Sequence, residues 1–163
     1  MCGRYFIDME HWEIQMWLHE RFKSMHGGDV LPTQMAPLLT LKDDIEPVLT
    51  PWGFKRNHQS QRVINARSET VMQLSLFKSD YAQNKAIVLA SGFYEWDAAK
   101  IKQRIIPEDD SIFYMAALIQ GNNEGFAILT QPAQYPVATI HDRQPVMIPK
   151  KHIINYLNGE LPE

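Results

Sequence analysis

Lys85-Ala86-Ile87-Val88-Leu89-Ala90-Ser91-Gly92-Phe93-Tyr94-Glu95-Trp96 is the stretch on which the reading of this chain turns. Residues 85–91 form a short apolar run rich in β-formers, bounded by a glycine, and read as a strand. Similar runs stand at Pro47 to Thr50, Ile112 to Ile119, Gly125 to Thr130 and Pro145 to Ile148, and residues 30–41 read as Pro-rich and extended. Helical signals are few. Residues 9–22 carry Ile14, Trp17, Leu18 and Phe22 at helical spacing, with Asp8 as candidate cap and Gly27 and Gly28 as the stop. Ser68 is placed to cap a short helix over 69–77, and Pro149 suits the first turn of a last helix over 149–157 closed by Gly159. Many strands with scattered helices predict an α+β fold rather than an alternating parallel sheet.

The chain has 163 residues, 45% hydrophobic and 21% charged. That suits one compact domain with a core that needs neither metal nor disulfide. A single cysteine rules out an internal disulfide and a multi-cysteine zinc site. No metal or other cofactor is expected. No run of about 18 apolar residues suggests a membrane span, and the polar first 30 residues do not read as a signal peptide. A cytoplasmic setting is expected. The net charge of −3 argues against a basic nucleic-acid-binding domain. Any nucleic-acid site must be a local patch.

Four segments carry chemistry. Cys2 follows Met1 directly. Methionine aminopeptidase removes Met1 before a small residue, leaving a free α-amine beside the thiol. The amine condenses with an aldehyde to a Schiff base, and the thiol closes a five-membered thiazolidine. With a pKa near ~7.8, about a seventh of the amine is neutral at pH 7, against roughly 0.04% for a lysine. The plain alternative is an incidental small residue in a frayed terminus.

Asn65-Ala66-Arg67-Ser68-Glu69-Thr70 offers an amide donor and acceptor and a guanidinium able to grip phosphate bidentately; it reads equally as a loop entering a helix. Glu95, set among aromatics at the end of an apolar strand, is a candidate proton shuttle with a raised pKa; the alternative is an edge-strand glutamate facing water. His141-Asp142-Arg143 cannot all face one side of a strand, so a turn is expected, with His141 able to titrate near neutral pH or to serve structurally. The other histidines show no metal-ligand spacing, and neither a phosphate-binding glycine loop nor a Gly-x-Ser-x-Gly elbow occurs.

Taken in order, Met1-Cys2-Gly3-Arg4-Tyr5, Pro32-Thr33-Gln34, Pro51-Trp52-Gly53-Phe54, Asn65 to Thr70, Gly92 to Trp96, Ile128-Leu129-Thr130 with Pro132-Ala133, and His141-Asp142-Arg143 with Pro145-Val146 resemble the SOS response-associated peptidase (SRAP) family over nearly the whole chain. The resemblance implies a single domain with a curved, mixed or antiparallel, barrel-like sheet, peripheral helices and a basic groove. It also implies covalent capture of abasic sites in single-stranded DNA by the N-terminal cysteine. By position, Cys2 is the nucleophile, Glu95 the proton shuttle, His141 the second acid–base group, and Asn65 the holder of the cysteine and the opened sugar. Arg4 and Arg67 are implied phosphate contacts, and Trp52 and Pro32 implied apolar surface where DNA bends. The implied partner is single-stranded DNA bearing abasic sites, bound by a monomer that is nucleoid-associated when on DNA. The chain departs from the family in a short Pro51 to Asn65 segment and in Gln144 where methionine is common.

Rival readings are a self-processing cysteine peptidase using Cys2, His141 and Glu95, a non-covalent binder of single-stranded or modified DNA, and a trap for small aldehydes. A weak lyase activity through the imine is also open.

Overall fold

The computed structural model describes residues 2–22 and 25–160. Met1, which opens the first motif, lies outside them. Eleven strands are arranged in two sheets: β1 Tyr5–Ile7, β2 Gly28–Val30, β3 Met35–Leu41, β4 Ile45–Pro51, β5 Asn65–Arg67, β6 Lys85–Ala90, β7 Gly92–Trp96, β8 Lys102–Ile105, β9 Phe113–Gln120, β10 Gly125–Pro132 and β11 Arg143–Pro145. Three short helices lie among them: α1 Trp12–Leu18, α2 Lys78–Gln83 and α3 Ile153–Leu157. One sheet has the order β2-β1-β7-β8 and the other β11-β10-β9-β6-β3-β4, with β5 paired to β10. All ladders are antiparallel except β5 with β10, so the α+β expectation with a mixed sheet is met.

The large sheet is built around β6 and β9, whose residues are apolar and buried along almost their whole length. Such runs suit strands covered on both faces. The sheet curls. Beyond β4, Trp52 makes a single parallel bridge to Phe126 of β10, and the Gly53 N–H donates to Phe126 O at 2.7 Å. The far end of the sheet is thus brought back against β10 without a continuous ladder, so the barrel stays open. One hydrophobic cluster takes residues from both sheets, from Tyr5 and Phe93 to Ile87 and Phe126.

Several local expectations shift. The helix expected over 9–22 is shorter: α1 ends at Leu18, where His19 adopts a positive φ of 53°, and a 3-10 turn covers Glu20–Phe22. Its cap is His11, whose ring accepts the Glu13 N–H at 3.1 Å; Asp8 instead accepts the Glu10 N–H in the preceding turn. Gly28 opens β2 instead of stopping a helix. Residues 68–77 form successive turns and Ser68 caps no helix, the helix following at α2. The last strand falls at Arg143–Pro145, earlier than the expected Pro145 to Ile148. Strands β1, β2, β5 and β8 have three or four residues each, too few to show a period.

Backbone crosses backbone at Gly125. A Cβ there would lie 1.9 Å from Gly53 O, a contact no side-chain rotation relieves. Gly125→Ala is therefore expected to lower stability by about 2 kcal/mol or more, read as a lower urea midpoint. An unchanged midpoint contradicts this account of the crossing.

Candidate functional site

The site is assembled from the strand alternation of β7. Paired with β1 on one side and β8 on the other, β7 turns Phe93 and Glu95 inward and Tyr94 and Trp96 outward. Glu95 is 3% exposed, so it does not face water. Burial raises its pKa, and the charge on His141 opposes that rise. His141 Nε2 lies 3.8 Å from Glu95 Oε1. The imidazole comes from the turn before β11, as expected from its sequence, with exposed Asp142 pointing away from the core.

Two groups hold the ring. The Arg143 backbone N–H reaches His141 Nδ1 at 3.1 Å, and Asp142 Oδ1 lies 3.1 Å from the same nitrogen. When Nδ1 accepts from Arg143, Nε2 carries the proton that faces Glu95. A protonated ring instead donates to Asp142 and faces Glu95 as an ion pair.

Cys2 is fully buried, and its thiol points at the Arg4 carbonyl from 3.9 Å. Desolvation, and then the nearby Glu95 charge, push the thiol up to about 12. Burial and the Cys2 charge likewise raise the Tyr5 phenol. Cys2, Tyr5, Glu95 and His141 thus share one electrostatic neighbourhood.

Asn65 opens β5, opposite Ile128 of β10. Its Nδ2 donates to Ile128 O at 3.5 Å, while its Oδ1 is buried with no hydrogen-bond partner among the described residues. Asn65 lines a cavity of about 560 Å³ with Pro32, Thr33, Arg56, Arg62 and Ile64. The N-terminal segment borders this cavity, since a Cβ on Gly3 would lie 3.9 Å from Ile64 Cδ1.

The arginines flank these groups. Arg67 is exposed at the end of β5. Arg4 is partly exposed, 3.7 Å from Asp29 Oδ2 and over the Trp96 ring at 6.0 Å. Trp52 requires a correction: it is 0% exposed and presents no surface to a ligand. It stacks on Phe126 at 5.9 Å, meets Tyr5 edge-on at 5.3 Å, and donates from Nε1 to Ile64 O at 3.1 Å. Its bridging position between sheet ends makes it a core pillar. Pro32, half-buried at the cavity wall, remains accessible.

The sequence model of the family described as SOS response associated peptidase (SRAP) matches residues 1–163. The chain belongs to the SRAP family. It is 30% identical to the abasic site processing protein YoqW of Bacillus subtilis (strain 168), the match covering 97% of this chain and 80% of that protein. It is 29% identical to the abasic site processing protein YedK of Escherichia coli (strain K12), over 82% of this chain and 65% of that protein. With the B. subtilis abasic site processing protein YoaM the identity is 29%, over 68% and 53%. The chain thus spans between about half and two-thirds of the length of YoaM and YedK. Crystal structures of proteins from Bordetella bronchiseptica and Bacteroides thetaiotaomicron share the fold. Their TM-scores are 0.80 and 0.79, each at 19% identity, covering 96% and 99% of this chain and 88% and 83% of those chains.

Sequence reasoning missed one element of this SRAP site. Arg143, 8% exposed, forms a bidentate pair with Glu69 at 2.8 and 3.1 Å and reaches Thr130 Oγ1 at 3.1 Å. The pair fastens the turn after β5 to the strand that orients His141. No strand period marks Arg143 as inward, since His141 and Asp142 lie in the turn before β11. The side-chain hydrogen bond from Arg143 holds the Glu69 carboxyl below the usual range. A depressed folded pKa means that this contribution is complete above the unfolded value of about 4.3 and is lost as pH falls through the folded pKa. Glu69 is 43% exposed on its side chain, so screening reduces the pair's worth, but Arg143 is left buried without a counter-charge when Glu69 is removed. Glu69→Gln is expected to cost about 1–2 kcal/mol at pH 7 and to flatten the fall in stability between pH 5 and 3. Urea melts at both pH values check this; parallel pH dependences in the two proteins contradict it.

Proposed function

We propose that this chain, acting as one domain, captures abasic sites in single-stranded DNA as a thiazolidine on Cys2 once Met1 has been removed. The observation that carries the reading is the pairing of buried Glu95 with half-buried His141, 3.8 Å apart, the carboxylate charge being felt by the Cys2 thiol. An opened abasic sugar is an aldehyde. The Cys2 α-amine adds to its carbonyl carbon, and loss of one water gives the imine. The thiol sulfur then adds to the imine carbon while the thiol proton passes to nitrogen. The net change is one water lost and C–N and C–S bonds formed. Glu95 accepts the ammonium proton and His141 delivers a proton to the departing oxygen. The buried Oδ1 of Asn65 accepts from the amine or from a sugar hydroxyl, and Arg4 and Arg67 meet flanking phosphates.

The electrostatics favour amine before thiol. A thiol held near 12 stays protonated at neutral pH, whereas a free α-amine titrates near ~7.8. The same fact weighs against the cysteine-peptidase reading, because such a nucleophile needs a lowered thiol pKa beside an imidazolium. Similarity to proteins named abasic site processing proteins supports the DNA substrate.

The test mixes protein of confirmed Met1-free mass with an abasic single-stranded oligonucleotide and runs a denaturing gel. A shifted band is expected, absent in Cys2→Ala and formed about 10²-fold more slowly in Glu95→Gln. An unshifted band, or a shift that survives Cys2→Ala, overturns the proposal.

A further inference from the structure

We infer that the outward face of the β2-β1-β7-β8 sheet is a contact surface for single-stranded nucleic acid, beside the candidate site. The ligand's identity as DNA rests on the function proposed above; the surface itself is argued from its own residues. On this face the ladder puts Tyr94 opposite Arg104 and Trp96 opposite Lys102, while Phe6 lies opposite Gly92. Arg4 is beside Tyr94, whose N–H donates to the Arg4 carbonyl at 3.0 Å. Three cations and three aromatic rings therefore share one side of one small sheet.

They are matched ring by ring. Arg104 lies over Phe6 at 4.2 Å, Lys102 over Tyr94 at 4.9 Å and Arg4 over Trp96 at 6.0 Å. The Phe6 and Tyr94 rings are 5.6 Å apart. Gly92 makes room for this arrangement, since a Cβ there would meet the Phe6 ring at 2.4 Å and Ile105 O at 2.6 Å. Phe6 consequently lies flat across the strand beneath Arg104. Asp29 faces the group from β2, 3.7 Å from Arg4 and accepting the Tyr94 hydroxyl at 3.0 Å, while Asp8, Glu10, Asp109 and Asp110 line the cavity that Arg104 and Phe6 border on the other side.

Lys102, Arg104 and Trp96 are exposed, Tyr94 is half-buried and Phe6 is covered. In a chain of net charge −3 three cations are gathered over rings on one side of one small sheet. Cations interleaved with rings on an open sheet suit a polyanion that also carries flat bases: phosphates meet the ammonium and guanidinium groups, and bases stack on Trp96, Tyr94 and the guanidinium planes. An acidic peptide would use the charges and leave the rings idle.

The surface adjoins the candidate site along the chain. The Cys2 thiol points at the Arg4 carbonyl, and Trp96 follows Glu95 on the same strand, one facing out and the other in. A strand held at Arg4, which the Cys2 thiol faces, meets Trp96, Tyr94, Lys102 and Arg104 on the same side of the sheet.

The test measures fluorescence anisotropy of labelled oligothymidines, without abasic sites, on the full chain. A 20-mer is expected to bind Lys102→Gln/Arg104→Gln about ten-fold more weakly than the unaltered protein, with the salt slope smaller by about 1.4 for two lost phosphate contacts. A second readout guards against a folding defect: the 20-mer quenches tryptophan emission in the unaltered protein, and Trp96→Phe removes most of that quench. Equal affinities and salt slopes, a quench unaffected by Trp96→Phe, or no binding of the 20-mer to the unaltered protein each overturns the inference. Covalent capture of an abasic 6-mer by the unaltered protein reports on the proposed function alone. A 6-mer that is captured beside a 20-mer indifferent to Lys102 and Arg104 sinks only this surface. The reverse result sinks only the capture chemistry.

Discussion

The arrangement depends on one indole. Trp52 is sealed in the core, stacked on Phe126 of β10, edge-on to Tyr5 of β1 and hydrogen-bonded to Ile64 just before β5. Each segment it touches leads directly to a site residue. Tyr5 lies three residues from Cys2, Ile64 precedes Asn65, and Phe126 lies on the strand that registers Asn65 against Ile128. The chain's first residues and its middle are distant in sequence and are not joined by a long ladder. A rigid ring with a satisfied N–H holds them at fixed separation, which close-packed interiors transmit without slack.

Around this pillar the period of two does the sorting. Along β7 the inward residues meet the candidate site and the outward residues build the aromatic and cationic face. The two environments give opposite electrostatics a few ångströms apart. Inside, desolvation raises Glu95 and the Cys2 thiol toward their neutral forms. Outside, Arg4, Lys102 and Arg104 stay hydrated and charged above their rings. Net charge, an average over the chain, cannot report a division that runs through the thickness of one sheet.

This bears on what the sequence could reveal. The long strands β6, β9 and β10 were legible because apolar runs of six to eight residues are too short for a typical buried helix and are bounded by turn residues. Glu95 was legible as a buried carboxylate from its aromatic neighbours, and His141 from its place in a turn. Trp52 was misread: an apolar ring beside Gly53 reads equally as wedge or as core, and only the bridge to Phe126 decides. The Glu69–Arg143 pair escaped because its partners are 74 residues apart and no local pattern links them. The three-residue strands β1, β2 and β5 are set by partners and not by propensity. The helix over 9–22 was overextended because the apolar spacing continues through the break at His19, where a positive φ reverses the chain.

The complete burial of Cys2 has a chemical corollary. Oxidants and alkylating agents attack thiolates that they can reach. A cysteine that is enclosed, protonated and screened by an acidic neighbour meets neither condition. Its single sulfur is therefore kept from peroxide and from electrophilic metabolites.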